Sequence, residues 1–139
     1  MSGTTNGAGD RSDDGADDLA ITAATIAVVD AFNEAFNRHD VDAIMARMTD
    51  DATFESTSPP AGERHKGAAA VRAAWEAFFA ASPTARFEAE ETIATGDRCV
   101  IRWIYTWTDD TDHEQQLHGV DVLRVRDGKV AEKLAYVKG

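Results

Sequence analysis

Residues 116–139 read QLHGVDVLRVRDGKVAEKLAYVKG. Two runs of alternating apolar and polar side chains flank Arg126-Asp127-Gly128, the pattern of antiparallel strands joined by a tight turn. Asp121 stands between Val120 and Val122 in the first strand. It shares a face with Gly119, Leu123 and Val125, while His118, Val120, Val122 and Arg124 point the other way. The turn decides what it meets. A two-residue turn at Asp127-Gly128 sets Asp121 opposite Leu134; a three-residue loop through Arg126, with Gly128 left-handed, sets it opposite Lys133.

Outward from this hairpin, two more strands are predicted. "RCVIRWIYTWT" runs up to the acidic turn "DDTD", and "ARFEAEETIA" ends at Thr95-Gly96-Asp97. In the first of these, Cys99, Ile101, Trp103, Tyr105 and Trp107 share one face; Val100, Arg102, Ile104 and Thr106 share the other. Before Pro83 the period changes to helical. Val71, Trp75, Phe78 and Phe79 mark a helix that Ser82-Pro83 stops. "TSPPAGERHKG" reads as a loop and "DDATFES" as a short strand. Asp40 offers an N-cap to a short helix carrying Val41, Ile44, Met45 and Met48. Leu19–Asn37 reads as a long amphipathic helix with Val28, Val29, Phe32 and Phe36 on one face, and His39 is placed at its end. Residues 1–18 hold almost no large apolar side chain and are expected to form a flexible acidic tail, leaving one domain over residues 19–139. The predicted class is α+β, with three N-terminal helices packed on one face of a curved antiparallel sheet.

The chain of 139 residues carries a net charge of -11. Such charge opposes phosphate backbones and anionic lipid, so neither nucleic acid nor a membrane is an expected partner. A lone Cys99 forms no internal disulfide and is read as packing. The N-terminus lacks the layout of a signal peptide, and no later run reads as long enough to span a bilayer, so a soluble, cytoplasmic protein is expected.

The motifs "FNRHDVDAIMARMTDDATF", "GDRCVIRW" and "GVDVLRVRDGKVAEK", in this order, resemble the SnoaL-like branch of the nuclear transport factor 2-like superfamily. The resemblance covers roughly Leu19 to the C-terminus. It implies a cone-shaped curved sheet wrapped around the helices, an apolar pocket at the open end, and a homodimer formed through the outer face. The activities it implies include polyketide cyclisation, ketosteroid isomerisation and epoxide hydrolysis, besides members that only bind or assemble.

The resemblance places Asp121 on the acid/base aspartate of the cyclases, and sets Lys133 beside it. An aspartate desolvated among Trp103, Tyr105 and Leu123 can deliver or accept a proton near neutrality, and Lys133 can stabilise an enolate oxygen. By the same resemblance Phe32, Phe54, Ser56 and Trp75 border a small apolar ligand, as do Trp103, Tyr105, Trp107, Leu123 and Ala135. Some family partners are replaced. The isomerases need a tyrosine and a base carboxylate where Phe32 and Ser56 stand, and the epoxide hydrolases need a carboxylate at Ala135. Glu55 is one residue off and has the wrong parity for the pocket unless a bulge turns it inward.

The histidines form no ligand set. His118 and Asp121 fall on opposite faces, His113 lies in the acidic turn, and His65 lies at the pocket mouth or faces water. With no phosphate loop, nucleophile elbow or paired-cysteine motif, neither metal nor cofactor is expected. Three readings follow: a cofactor-independent acid/base enzyme on a carbonyl compound, a binding or assembly module in which Asp121 and Lys133 form a structural pair, and a protein whose acidic surface serves high salt.

Overall fold

The computed structural model describes the backbone of residues 2–138 and the side chains of residues 15–138. Helix α1 (Ser2–Asn37) buries Val29, Phe32, Ala35 and Phe36 at spacings of three and four, the stripe of an amphipathic helix. The stretch expected as a flexible tail, residues 1–18, is helical backbone of α1 from Ser2 onward, and its described side chains, residues 15–18, are exposed. By length and composition residues 15–37 are apolar enough to cross a bilayer, contrary to the sequence expectation. In this fold the apolar stripe belongs to the domain core.

The end of α1 is built by local hydrogen bonds. The Asp40 N–H donates to Ala35 O at 3.2 Å and the His39 N–H to Phe36 O at 2.9 Å, with His39 left-handed at φ 55°, a Schellman arrangement. Asp40 then caps α2 (Val41–Ala46), its carboxylate accepting from the Ala43 N–H at 3.0 Å. Strand β1 (Met48–Glu55) and the short β2 (Arg64–Lys66) precede α3 (Ala68–Ala81). Strand β2 falls within the stretch "TSPPAGERHKG" expected as a loop, and it pairs antiparallel with β1. Strands β3 (Arg86–Thr95), β4 (Arg98–Thr108), β5 (Glu114–Arg126) and β6 (Lys129–Val137) complete one six-stranded sheet in the order β2-β1-β6-β5-β4-β3.

The sheet is mixed rather than wholly antiparallel, because β1 runs parallel to β6. Irregularities between Ala89 and Glu91 and between Arg124 and Val125 bend it, as bulges do. Its concave face holds Cys99, Ile101, Trp103, Asp121 and Leu123, all buried against the helices. Parity along β4 and β5 is therefore as the sequence predicts. At the other edge, Asn37 acts as a surrogate strand: its amide accepts from the Phe87 N–H at 2.8 Å and donates to Phe87 O at 2.9 Å.

Candidate functional site

The final hairpin sets the chemistry of the concave face. Asp127 and Gly128 both have positive φ, 53° and 73°, so the turn has two residues, of the kind Asp-Gly favours. Beyond it Val125 pairs with Val130 but Arg124 pairs with Glu132, which leaves Ala131 as an extra residue. This bulge moves every later pair by one. Asp121 consequently lies opposite Ala135, not Leu134 or Lys133, and Lys133 lies opposite Leu123. The shift preserves parity relative to the three-residue loop, so Lys133 still shares the face of Asp121 and reaches it diagonally. Lys133 Nζ stands 3.1 Å from Asp121 Oδ2, with the side chains 10% and 1% exposed.

On its other side Lys133 pairs with Phe54 of the parallel strand β1. Its Nζ lies 5.3 Å from the Phe54 ring centre and 5.7 Å from that of Trp75, within cation–π range. Those rings stack on each other at 4.2 Å. Lys133 thus holds its charge between the Asp121 carboxylate and two aromatic rings. Removing one partner alone would strand the other at a cost of about 3–5 kcal/mol.

Asp121 and Lys133 line a cavity of about 580 Å³ whose wall is mostly apolar and rich in aromatic rings, a volume suited to a small organic molecule. The far end of the Trp103 ring crosses Gly119, so closely that a Cβ there would fall 2.6 Å from it. Among the described residues, the indole nitrogens of Trp75 and Trp103 are buried without a hydrogen-bond partner. Neither oxygen of Asp121 accepts a hydrogen bond of good geometry, so the contact with Lys133 is an ion pair that leaves acceptor capacity open. Burial pushes the Tyr105 phenol above its ordinary range, against a smaller opposing hydrogen bond with Ser82.

Of the residues expected to border a ligand, Phe54, Ser56 and Trp75 do line this cavity. So do Trp103, Tyr105 and Ala135. Three do not. Phe32 is wholly buried behind Trp75, edge-on at 6.1 Å. Leu123 is buried in the core, and Trp107 stacks on Tyr105 at 5.0 Å outside the wall. Phe36, Phe78 and Phe87 also form the wall, which the sequence pattern alone does not indicate. Phe36 and Phe78 were legible as helix-face aromatics, but which turn of a helix reaches a cavity depends on how the helices sit in the cone. His65 does line the mouth, its ring stacked on Phe54 at 5.8 Å and its Nε2 3.7 Å from Glu63 Oε2. Glu55 turns away, as parity requires, to bind Arg64 at 2.8 Å.

The motif order, the cone and the cavity converge with the comparisons. A family model described as the SnoaL-like domain matches residues 29–133. The chain belongs to the SnoaL-like family. Among solved structures, this SnoaL-like chain is similar to an NTF2-like protein of unknown function from Mesorhizobium loti, with 37% identity, 85% of this chain and 93% of that chain covered, and a TM-score of 0.73. AclR from Streptomyces galilaeus, described as a candidate hydroxylase, shares 24% identity over 84% of this chain and 80% of its own, at a TM-score of 0.70. A candidate polyketide cyclase from Xanthomonas campestris pv. campestris shares 23% identity, with 85% and 93% covered and a TM-score of 0.68. The last two establish fold alone. No curated protein matches the chain.

Proposed function

We propose that this SnoaL-like protein is a cofactor-independent acid/base enzyme of the cyclase or isomerase type, in which Asp121 moves a proton on a small, mostly apolar carbonyl compound. The observation that carries this reading is the Asp121–Lys133 ion pair in an aromatic cavity, with carboxylate oxygens lacking other partners among the described residues. A carboxylate so placed can take a proton from carbon beside a carbonyl and return it elsewhere, while the Lys133 ammonium stabilises the enolate oxygen that forms. Ser56 and Ala135 stand in the wall at positions where the isomerases and epoxide hydrolases of this fold need carboxylates. Aldol-type closure by one aspartate therefore fits better than either of those two arrangements. Cytoplasmic location and homodimerisation through the outer sheet face belong to the same proposal.

A panel of cyclase and isomerase substrates, compared between the wild type and Asp121→Asn, tests it. Loss of about 10²–10⁴ in turnover is the expected scale for a positioned acid/base. Equal turnover in the two proteins would sink it. The cation–π contacts of Lys133 favour a second reading, a binding module with a structural pair. That reading expects coupling between Asp121 and Lys133 in stability, and a cavity ligand that binds Asp121→Asn as well as wild type.

A further inference from the structure

The chain has four lysines. Lys66, Lys129 and Lys138 are exposed, whereas Lys133 is buried, forms part of the cavity wall and faces a carboxylate at 3.1 Å. A primary amine inside an apolar cavity, beside a proton acceptor with unused lone pairs, is equipped for more than charge stabilisation. We propose that Lys133 is an amine nucleophile that condenses reversibly with an aldehyde or ketone in the cavity, with Asp121 first its proton shuttle and then the counter-ion of the protonated Schiff base. This rests on reading the cavity as the ligand site.

The step balances with the two residues alone. Asp121 takes a proton from the Lys133 ammonium, and the freed Nζ lone pair attacks the carbonyl carbon. A C–N bond forms as the carbonyl π pair moves to oxygen, which takes the proton back from Asp121. Asp121 then removes a proton from the nitrogen of this carbinolamine and gives it to the hydroxyl. The C–O bond breaks, water leaves, and the nitrogen lone pair closes the C=N bond. Ammonium and carbonyl have become iminium and water, with Asp121 again a carboxylate. No oxidant or reductant is needed.

Electrostatics favour this exchange. One positive charge is replaced by another at the same place, beside Asp121 and against the faces of Phe54 and Trp75. No new charge is buried, and the contacts that hold the ammonium hold the iminium too. The mostly apolar wall limits the water that can approach the C=N bond, and holding the carbonyl against Nζ makes the attack effectively unimolecular. The iminium then draws electrons from its α-carbon, so the substrates it suits are aldehydes and ketones with an α-proton or a β-hydroxyl group.

The probe is 2-naphthaldehyde, followed in two ways on the full chain. Tryptophan fluorescence quenching reports entry to the cavity. Reduction by cyanoborohydride, whose hydride converts C=N to a stable secondary amine, is followed by peptide mass mapping. The expected result is quenching together with an adduct on Lys133, at least about tenfold above any exposed lysine, as proximity predicts. Lys133→Arg, which keeps a charge beside Asp121, is expected to bind the probe and lose the adduct. The double variant Asp121→Asn/Lys133→Met, which leaves no stranded charge, is expected to do the same. Labelling spread evenly over the exposed lysines, or quenching with no Lys133 adduct, overturns the amine role and leaves the cavity reading standing. No quenching overturns both. An adduct that forms as fast in Asp121→Asn as in wild type overturns the shuttle.

Discussion

Gly119 faces Trp103 across β4 and β5, and a Cβ at position 119 would meet both the Trp103 ring and the Tyr136 carbonyl. The glycine of "GVD" thus lets an indole lie flat as cavity wall two residues before Asp121 on the same face. Gly119→Ala is expected to cost about 1–3 kcal/mol, the scale of overpacking in a tight core, and to alter tryptophan fluorescence as Trp103 is displaced. Chemical denaturation monitored by fluorescence checks both; an unchanged midpoint would contradict the packing. Which face each of these residues occupies was legible in the sequence, because strand parity has a period of two and Asp121, Trp103 and Tyr105 obey it. Which residue sits opposite Asp121 was not. The bulge at Ala131 has no side-chain signature, and one extra residue there changes every later pair.

Elements were legible where signals are local. Asp40 as an N-cap and Pro83 after the third helix needed only neighbours in sequence, as did the presence of a turn at Arg126-Asp127-Gly128, though not whether it has two residues or three. The parallel pairing of β1 with β6, which delivers Phe54 to Lys133, joins segments far apart in the chain and leaves no local mark. The acidic turn between β4 and β5 shows what local carboxylates do. Asp109 accepts from the Thr111 hydroxyl at 2.7 Å, from the Thr111 and His113 N–H groups at 2.9 and 3.0 Å, and from Gln115 at 2.8 Å. These bonds, that of the Thr111 side chain first, hold its carboxyl down at about 2 against 3.8 when free. A depressed carboxyl stabilises the fold above its free value and loses that contribution as pH falls through the folded value. The Tm of Asp109→Ala should therefore lie below wild type at pH 6, and the gap should close as pH falls from 3.8 toward about 2. A gap independent of pH would mean the carboxylate bonds do not hold the turn.

At the scale of the molecule, helices cover only the concave side of the sheet. The convex side carries a row Val100–Val122–Leu134 across three strands, with Ile93 and Tyr136, 58% and 52% exposed, beside it. The proposed homodimer through this face would bury an apolar stripe that water otherwise wets. Light scattering should give a mass near twice 15.0 kDa, and Val122→Glu should shift it toward one chain. A wild-type mass of 15.0 kDa would contradict the dimer. The cone and its aromatic interior followed from motif order and parity. The full wall did not, since Phe36, Phe78 and Phe87 converge on the cavity only once two helices and an edge strand are in place.

The proposed function makes Asp121 a working acid/base and not a structural partner of Lys133. The most direct measurement is deuterium incorporation at the α-carbons of 2-tetralone, an enolisable aromatic ketone of suitable size, followed by NMR in D₂O. Wild type should accelerate exchange, and folded Asp121→Asn should lose about 10²-fold or more of that acceleration. Exchange at the same rate with both proteins would contradict the claim.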